Sequence, residues 1–586
     1  MNKILLSGNE AIARGAYEAG VTLAAGYPGT PSTEIQQNIA AKYKDVIYAE
    51  WSPNEKVAFE VAAGAALAGA RALATMKHVG LNVAADPLMT LAYTGVVGGF
   101  VVVVADDPGM HSSQNEQDTR HFARFAKIPL LEPADSEEAK EFTKLAFQIS
   151  EEFSVPVILR TTTRISHSRS LVNELPRQES DKPINFVKDP PRFVAVPMWA
   201  RQMRLRVEER MKKLREYADN SPVNEIIWQC KKLGIVTSGV AYQYVREVFP
   251  QASVLKLGIP FPFPDEMFRT FAAEVEDILV VEELEDFFEE HIKARGIRCH
   301  GKDMLPNIGE FSPDVLRKVT PLPPVAPPPA LPFELPHRPP VLCSGCPHRG
   351  IFYALGRIDD VIVVGDIGCY SLGVLPPLSR MDTLLCMGGG VSMAHGMDKA
   401  ERNNPITGTP IQKIVGMVGD STFFHSGITG LLDIAYNKGS STIIVVDNRT
   451  TAMTGHQDHP GSGKTLMGEA TVAVSIEEIG KACGVKNVRT VNPRDIQAAV
   501  ALLKAATESP EPWLIISEAP CPLHLGKPLG KPLSVKAGSC KKCNICLKLG
   551  CPGLEKTGDR VRINELLCAG CQMCQNVCPA KAITKQ

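Results

Sequence analysis

The sequence predicts a multidomain α/β protein that ends in a small, cysteine-rich α+β domain. Three observations lead there. β-Branched runs such as FVVVVAD and VPVILRT alternate with Ala/Gly-rich helical stretches, the pattern of parallel, doubly wound sheets. A segment in which half the positions are proline, PLPPVAPPPALPFELPHRPP at 321–340, interrupts that alternation and reads as an extended linker. Eight of the 16 cysteines crowd into the last 47 residues. At 586 residues the chain is too long for one core, so three to five domains are expected.

The elements follow in order. Residues 1–170 form a first α/β domain, and 171–228 a connecting segment whose RLRVEERMKKLREYAD reads as a solvated helix. A second α/β unit occupies 229–320, from KLGIVTSGVAYQYVREVF through DILVVEELEDFFEEHI. After the proline-rich linker, VIVVGD, TLLCMGGG, KIVGMVGD and STIIVVDN each read as a buried strand that ends in glycine, cysteine or acid. They build a third α/β domain, 341–533, with its functional loops at the carboxyl ends of strands. The tail spans 534–586.

Bulk properties exclude several classes. A net charge of −1 gives no reason to expect nucleic acid or an anionic membrane as partner. The longest apolar run, Gly95 to Ala105, is too short to span a bilayer. The N-terminal MNKILLSGNEAIARGAYEAG has only a short apolar run before an amphipathic helix, so no secretory leader is expected and a cytoplasmic location is. Cysteine clusters in such a compartment bind metal more often than they form disulfides.

In the tail, Cys540, Cys543, Cys546 and Cys551 form one run, with four residues rather than three before the last. Cys568, Cys571, Cys574 and Cys578 form another, closed by Pro579. This is the spacing of two-cluster ferredoxins, in which the fourth cysteine of each run serves the other cluster. One [4Fe-4S] cluster is therefore expected on Cys540, Cys543, Cys546 and Cys578, the other on Cys568, Cys571, Cys574 and Cys551. A zinc ribbon is the alternative, though zinc sites rarely use two such runs. Cys230, Cys299, Cys386 and Cys483 read as packing residues.

The third domain contains GDSTFFHSGITGLLDIAYNKGSSTIIVVDNRT. A strand ends at Gly419-Asp420, a helix is expected from about Phe424 to Lys438, and a second strand ends at Asp447-Asn448. A helix N-terminus accepts phosphate, and two oxygen donors at adjacent strand ends suit Mg²⁺. The stretch resembles the thiamine diphosphate signature, with serine for its third glycine and Asp447 for its first asparagine. That resemblance implies Mg²⁺ on Asp420, Asn448 and the carbonyl of Thr450. An ordinary βαβ crossover with a capping Asp fits the same residues. Thiamine enzymes also carry a glutamate whose proton activates the cofactor's aminopyrimidine. Glu55, opening an Ala/Gly-rich helix in AEWSPNEKVAFEVAAGAALAG, is the candidate, with Glu50 and Glu60 as rivals and helix-terminus stabilisation as the simpler role.

GYPGTPSTEI at Gly26–Ile35, the Glu55 helix, CSGCPHRG, GDIGCYSLG, GDSTFFHSG and the double-cysteine tail occur in this order. In that order they resemble the large (alpha) subunits of indolepyruvate ferredoxin oxidoreductases, in the 2-oxoacid:ferredoxin oxidoreductase superfamily. The resemblance covers almost the whole chain apart from about 171–228. It implies a pyrimidine-type thiamine domain, a transketolase C-terminal-like domain, a diphosphate-type thiamine domain and a two-cluster ferredoxin-like domain. It further implies Glu55 as the cofactor-activating residue and Thr30 against the substrate, with cofactor contacts at Gly365, Asp366, Gly419 and Ser421. A third [4Fe-4S] cluster would sit on Cys343, Cys346, Cys369 and Cys521, although buried free cysteines are common in cores. Met387-Gly-Gly-Gly-Val391, His425 and His78 are lesser candidates, and Arg120 reads as a surface ion pair or a carboxylate contact.

The implied reaction converts an aryl pyruvate (indolepyruvate, phenylpyruvate or 4-hydroxyphenylpyruvate), coenzyme A and ferredoxin to aryl-acetyl-CoA, CO₂ and reduced ferredoxin. A smaller beta subunit would carry a further domain, in a heterotetramer of two alpha and two beta chains. A non-oxidative thiamine decarboxylase, an oxidoreductase for another 2-oxo acid, and an electron-transfer scaffold remain as alternatives.

Overall fold

In the first sheet, Phe100–Asp106 is buried at every position, the result of a continuous β-branched run that must be covered on both faces. A computed structural model describes residues 3–179, 184–319, 333–334, 339–402 and 413–585. The chain divides into two units, Met1–Pro332 and Phe333–Gln586. Most of the proline-rich segment 321–340 lies outside the described residues.

Six parallel strands make the first sheet, in the order Tyr48–Trp51, Leu23–Gly26, Ala72–Lys77, Phe100–Asp106, Val157–Thr162 and Leu130–Leu131. Its helices start where the sequence supplies caps. Ser7 and Glu10 form a capping box for Gly8–Glu18, Asn54 caps Glu55–Leu67, and Asp135 caps Ser136–Phe153. Ala58, Ala62 and Ala66 let the Glu55 helix approach the sheet closely, and Phe59 packs edge-on against Phe100 at 5.0 Å.

A second sheet follows in the same unit, in the order Asp277–Val281, Cys230–Ser238, Ala252–Leu257 and Asn224–Ile227, the last strand antiparallel. Its edge strand lies within the segment read as a connection. The helix Pro197–Asn220 is not fully solvated either. Met203, Val207, Met211, Leu214 and Ala218 recur every three or four residues as a buried stripe, a pattern masked in the sequence by the charges between them.

Arg120 joins the two sheets. It is 1% exposed, so it is neither a surface ion pair nor available to a substrate. It bonds Asp118 at 2.5 Å and Glu282 at 2.6 Å, while Arg160 pairs with Asp106 at 2.7 Å and with Glu132. Burial alone would push Asp118 up, but Arg120 and Arg160 outweigh it and hold the carboxyl well below its usual range.

The second unit is built on five parallel strands: Val361–Val364, Lys413–Gly419, Thr442–Asp447, Trp513–Glu518 and Asn487–Val491. Separate cores cover its two faces. Phe352 and Leu503 lie in one, Val391 and Leu431 in the other, which makes the sheet doubly wound. The tail adds two antiparallel pairs, Leu533–Val535 with Ile583–Lys585 and Leu554–Thr557 with Arg560–Ile563. Its Leu549 and Met573 pack on Tyr353 and Ile496. Among the described residues, no helix is long and apolar enough to cross a membrane.

Candidate functional site

Three neighbouring strands of the second unit end side by side, at Val364, Gly419 and Asp447. Helix begins at Asp420 itself, earlier than the sequence suggested, and passes through a π-turn at Phe423–Gly427 before continuing to Tyr436. An acidic residue in a first turn stabilises that start. Asp420 is buried; its Oδ1 accepts from the Ser421 N–H at 2.9 Å and its Oδ2 from the Thr450 N–H at 3.2 Å. The Asn448 Oδ1 accepts from the same Thr450 N–H at 3.2 Å. The aspartate and asparagine oxygens are thus gathered at one point, an oxygen donor set that fits a hard divalent cation. His459 approaches Asp420 Oδ2 at 3.1 Å. Burial raises Asp420, and His459 more than offsets it; Asp447, buried beside Asp420, is pushed up to about 7.

Asp366 is committed elsewhere. Its carboxylate accepts from the backbone N–H groups of Ile367, Gly388 and Gly390 at 2.7–3.0 Å, and so shapes the Met387-Gly-Gly-Gly turn. Thr422 donates to the Ile367 carbonyl at 3.2 Å, joining the Gly365-Asp366 loop to the Gly419–Ser421 loop. His425 bonds Ser426, which holds the Met387 carbonyl at 2.9 Å. His348, driven down to about 4 by burial, lies 3.4 Å from the Asn448 amide. Neither His459 nor His348 was singled out in the sequence; only their position beside the strand-end loops marks them.

The cysteines gather in three groups. Cys343, Cys346, Cys369 and Cys521 are electrostatic neighbours, and burial pushes Cys346 up to about 12 and Cys369 to about 11. Cys369 also feels Asp420, and the Cys521 N–H donates to the Asn448 carbonyl at 3.1 Å. This group therefore adjoins the oxygen donors. Cys540, Cys543, Cys546 and Cys578 line one small cavity. Cys551, Cys568, Cys571 and Cys574 are mutual neighbours. The longer spacing before Cys551 is absorbed at Gly550, which has φ +65°. Among the described residues no three acidic, histidine or cysteine side chains converge on a single ion. A cubane differs, because each thiolate binds its own iron. Two expectations fail: Cys230 and Cys386 are exposed and pack in no core, whereas Cys299 is buried. Cys230 opens its strand beyond the covered part of the sheet, and Cys386 precedes the glycine turn.

In the first unit, Glu55 is buried at the first position of its helix. Its rivals differ: Glu50 bonds Tyr48 and Ser52, and Glu60 is an exposed partner of Lys56. Gly80 lies against Glu55 so closely that a Cβ there would meet the carboxyl Oε1 at 2.7 Å. Thr30 does not cap the following helix, which begins after Ser32; its carbonyl accepts from Ser112 at 3.2 Å. Lys77, overlooked in the sequence, is buried beside this loop. Its ammonium donates to the Ser112 carbonyl at 3.2 Å and feels Asp107 and Glu55, and burial lowers it to about 8. His78 bonds the Asn115 carbonyl at 3.2 Å.

The family model for the pyruvate flavodoxin/ferredoxin oxidoreductase thiamine diphosphate-binding domain matches residues 14–218. The thiamine pyrophosphate enzyme C-terminal domain matches 366–517, and a 4Fe-4S binding domain matches 561–584. The indolepyruvate oxidoreductase subunit IorA of Methanothermobacter marburgensis is 44% identical over 99% of this chain and 97% of its own. Those of Archaeoglobus fulgidus and Pyrococcus abyssi are 40% and 41% identical over at least 99% of this chain and 97% of theirs. The chain belongs to the indolepyruvate oxidoreductase subunit IorA family. As an IorA-family chain it is an oxidoreductase with thiamine diphosphate and iron–sulfur cofactors. The 2-oxoglutarate synthase subunit KorA of M. marburgensis is more distant, 24% identical over 52% of this chain and 94% of its own.

Proposed function

We propose that this chain is the large subunit of an enzyme that oxidatively decarboxylates aryl pyruvates, of which indolepyruvate is the type. Coenzyme A would accept the acyl group and ferredoxin the electrons. A smaller subunit would complete a heterotetramer of two large and two small chains. The observation that carries this reading is the Cys521–Asn448 hydrogen bond. It joins a cysteine group suited to iron to an oxygen donor suited to Mg²⁺, so oxidation and decarboxylation would occur side by side.

Asp420, Asn448 and Thr450 would hold Mg²⁺, with Gly365, Gly419 and Ser421 around the diphosphate. Asp366 would act through the glycine turn it shapes. Bound thiamine diphosphate supplies the carbanion chemistry of 2-oxo acid decarboxylation. Glu55 would hold the proton shared with the aminopyrimidine. Thr30 and Lys77 would face the substrate, the ammonium paired with its carboxylate. Iron–sulfur clusters would occupy the three cysteine groups.

The test uses the anaerobically purified complex with Mg²⁺ and thiamine diphosphate. Iron–sulfur absorbance is followed on adding indolepyruvate, pyruvate or 2-oxoglutarate, with and without coenzyme A. Bleaching by indolepyruvate in preference to the small acids is expected. Bleaching only by a small acid would overturn the substrate assignment. CO₂ release without bleaching would replace the oxidoreductase by a plain decarboxylase.

A further inference from the structure

Arg349 presents a physical puzzle. It is 2% exposed, yet among the described residues it forms no ion pair with a carboxylate. Its guanidinium is held only by backbone carbonyls: Cys343 at 3.1 Å, Leu549 at 3.0 Å, Gly550 at 2.5 Å, and Leu342. Burial lowers its pKa, and the groups opposing that effect are Cys551, Cys346, Cys343 and Cys571. A buried cation needs a counter-charge, and among the described residues the leading candidates are thiols.

Arg494 repeats the arrangement. Half-buried, it feels Cys571 and Cys346, and its Nε has no hydrogen-bond partner. The two cysteine loops also touch directly: a Cβ on Gly345 would meet the Ala569 Cβ at 2.7 Å and the Cys571 Cβ at 3.7 Å. Two cations thus stand where the Cys343/Cys346 loop meets the Cys551/Cys571 loops.

We infer that Arg349, assisted by Arg494, is the fixed counter-charge for electron passage between these two cysteine groups. This rests on the reading that both groups hold iron–sulfur clusters. Four thiolates on iron give each site net negative charge, which grows by one with each electron received. A guanidinium tied to both loops offsets that charge without taking up a proton. It also fixes the separation of the loops, because its carbonyl partners come from both. Arg349 is therefore a positioning residue, one that favours reduction at the groups it faces.

The test is an EPR-monitored redox titration of the anaerobic holo-complex, with iron content measured in parallel. Arg349→Met should disfavour reduction of the two flanking clusters by about tenfold, equivalent to about 59 mV for one electron, as expected for loss of a nearby charge. The Cys540-Cys543-Cys546-Cys578 cluster should not shift. Arg349→Lys, which keeps the charge, should lie near wild type. Unchanged potentials in iron-replete Arg349→Met would overturn the inference. If Arg349→Met loses its iron, Arg494→Met decides; its side chain makes one long bond, 3.4 Å to the Pro520 carbonyl. A smaller shift in the same direction supports the inference, and no shift overturns it. Wild-type protein lacking low-potential iron–sulfur signals would instead refute the cofactor reading itself.

Discussion

Gly80→Ala perturbs the proposed activating carboxyl without altering it chemically. The added methyl would lie 2.6 Å from Glu55 Cγ and 2.7 Å from Oε1, against about 3.4 Å for ordinary contact. Glu55 must therefore retreat by about 0.8 Å, or the Gly80 helix must move as far. The Asn54 cap, accepting from the Val57 N–H at 2.9 Å, limits movement of the Glu55 backbone. Overpacking of this kind costs about 1–3 kcal/mol of stability, and a displacement approaching 1 Å costs up to about 100-fold in rate. The assay is deuterium exchange at C2 of thiamine diphosphate bound to the complex, with cofactor affinity measured separately. Exchange should slow about 10- to 100-fold while affinity changes little, and Glu55→Gln should be slower still. Wild-type exchange in a folded Gly80→Ala complex would refute the assignment of Glu55.

Lys77→Met should lower kcat/KM for the 2-oxo acid by about 10- to 100-fold, the range of one lost charged hydrogen bond; an unchanged value would remove Lys77 from the substrate site. Asp420→Asn should weaken Mg²⁺-dependent binding of thiamine diphosphate, measured by calorimetry, by about 100-fold, and unchanged affinity would exclude it as a ligand. Burial pushes Glu283 up to about 7. An acid so raised binds more protons when folded, so its contribution to stability falls as pH rises from about 4.5 to 7. Glu283→Gln can still accept from the Phe311 N–H, a 2.7 Å bond in the native protein. Its melting temperature should exceed wild type by a margin growing across that window, with at most about 3 kcal/mol gained above pH 7. A margin independent of pH would contradict this.

Much of the architecture was legible because strand chemistry is local. FVVVVAD can only be a covered strand, and Asp447-Asn448 had to fall where STIIVVDN stops. The tail cysteines were legible for the same reason, since their spacing is itself the geometry. Other features depend on distant partners. Arg120 looked like a surface residue because the second of its two counter-ions, Glu282, lies 162 positions away. Lys77 ends a buried strand with no motif around it, and its significance comes from loops that contain Thr30 and Ser112. Asp366 fitted a cofactor-loop pattern, yet its oxygens serve a glycine turn more than 20 residues later. The stripe of Pro197–Asn220 was hidden by charge density, which dominates a linear reading but occupies only the helix's outer side.

The paired arginines between the first two sheets have a consequence for how this protein can be divided. A fragment ending near residue 170 would keep Arg120 and Asp118 and lose Glu282, one of the two carboxylates that neutralise the buried guanidinium in the intact chain. Breaking such a pair costs about 3–5 kcal/mol, a large share of the stability of an ordinary domain. Although these sheets look like separable modules, heritable exchange of either one between relatives would have to carry both halves of the ionic lock at once.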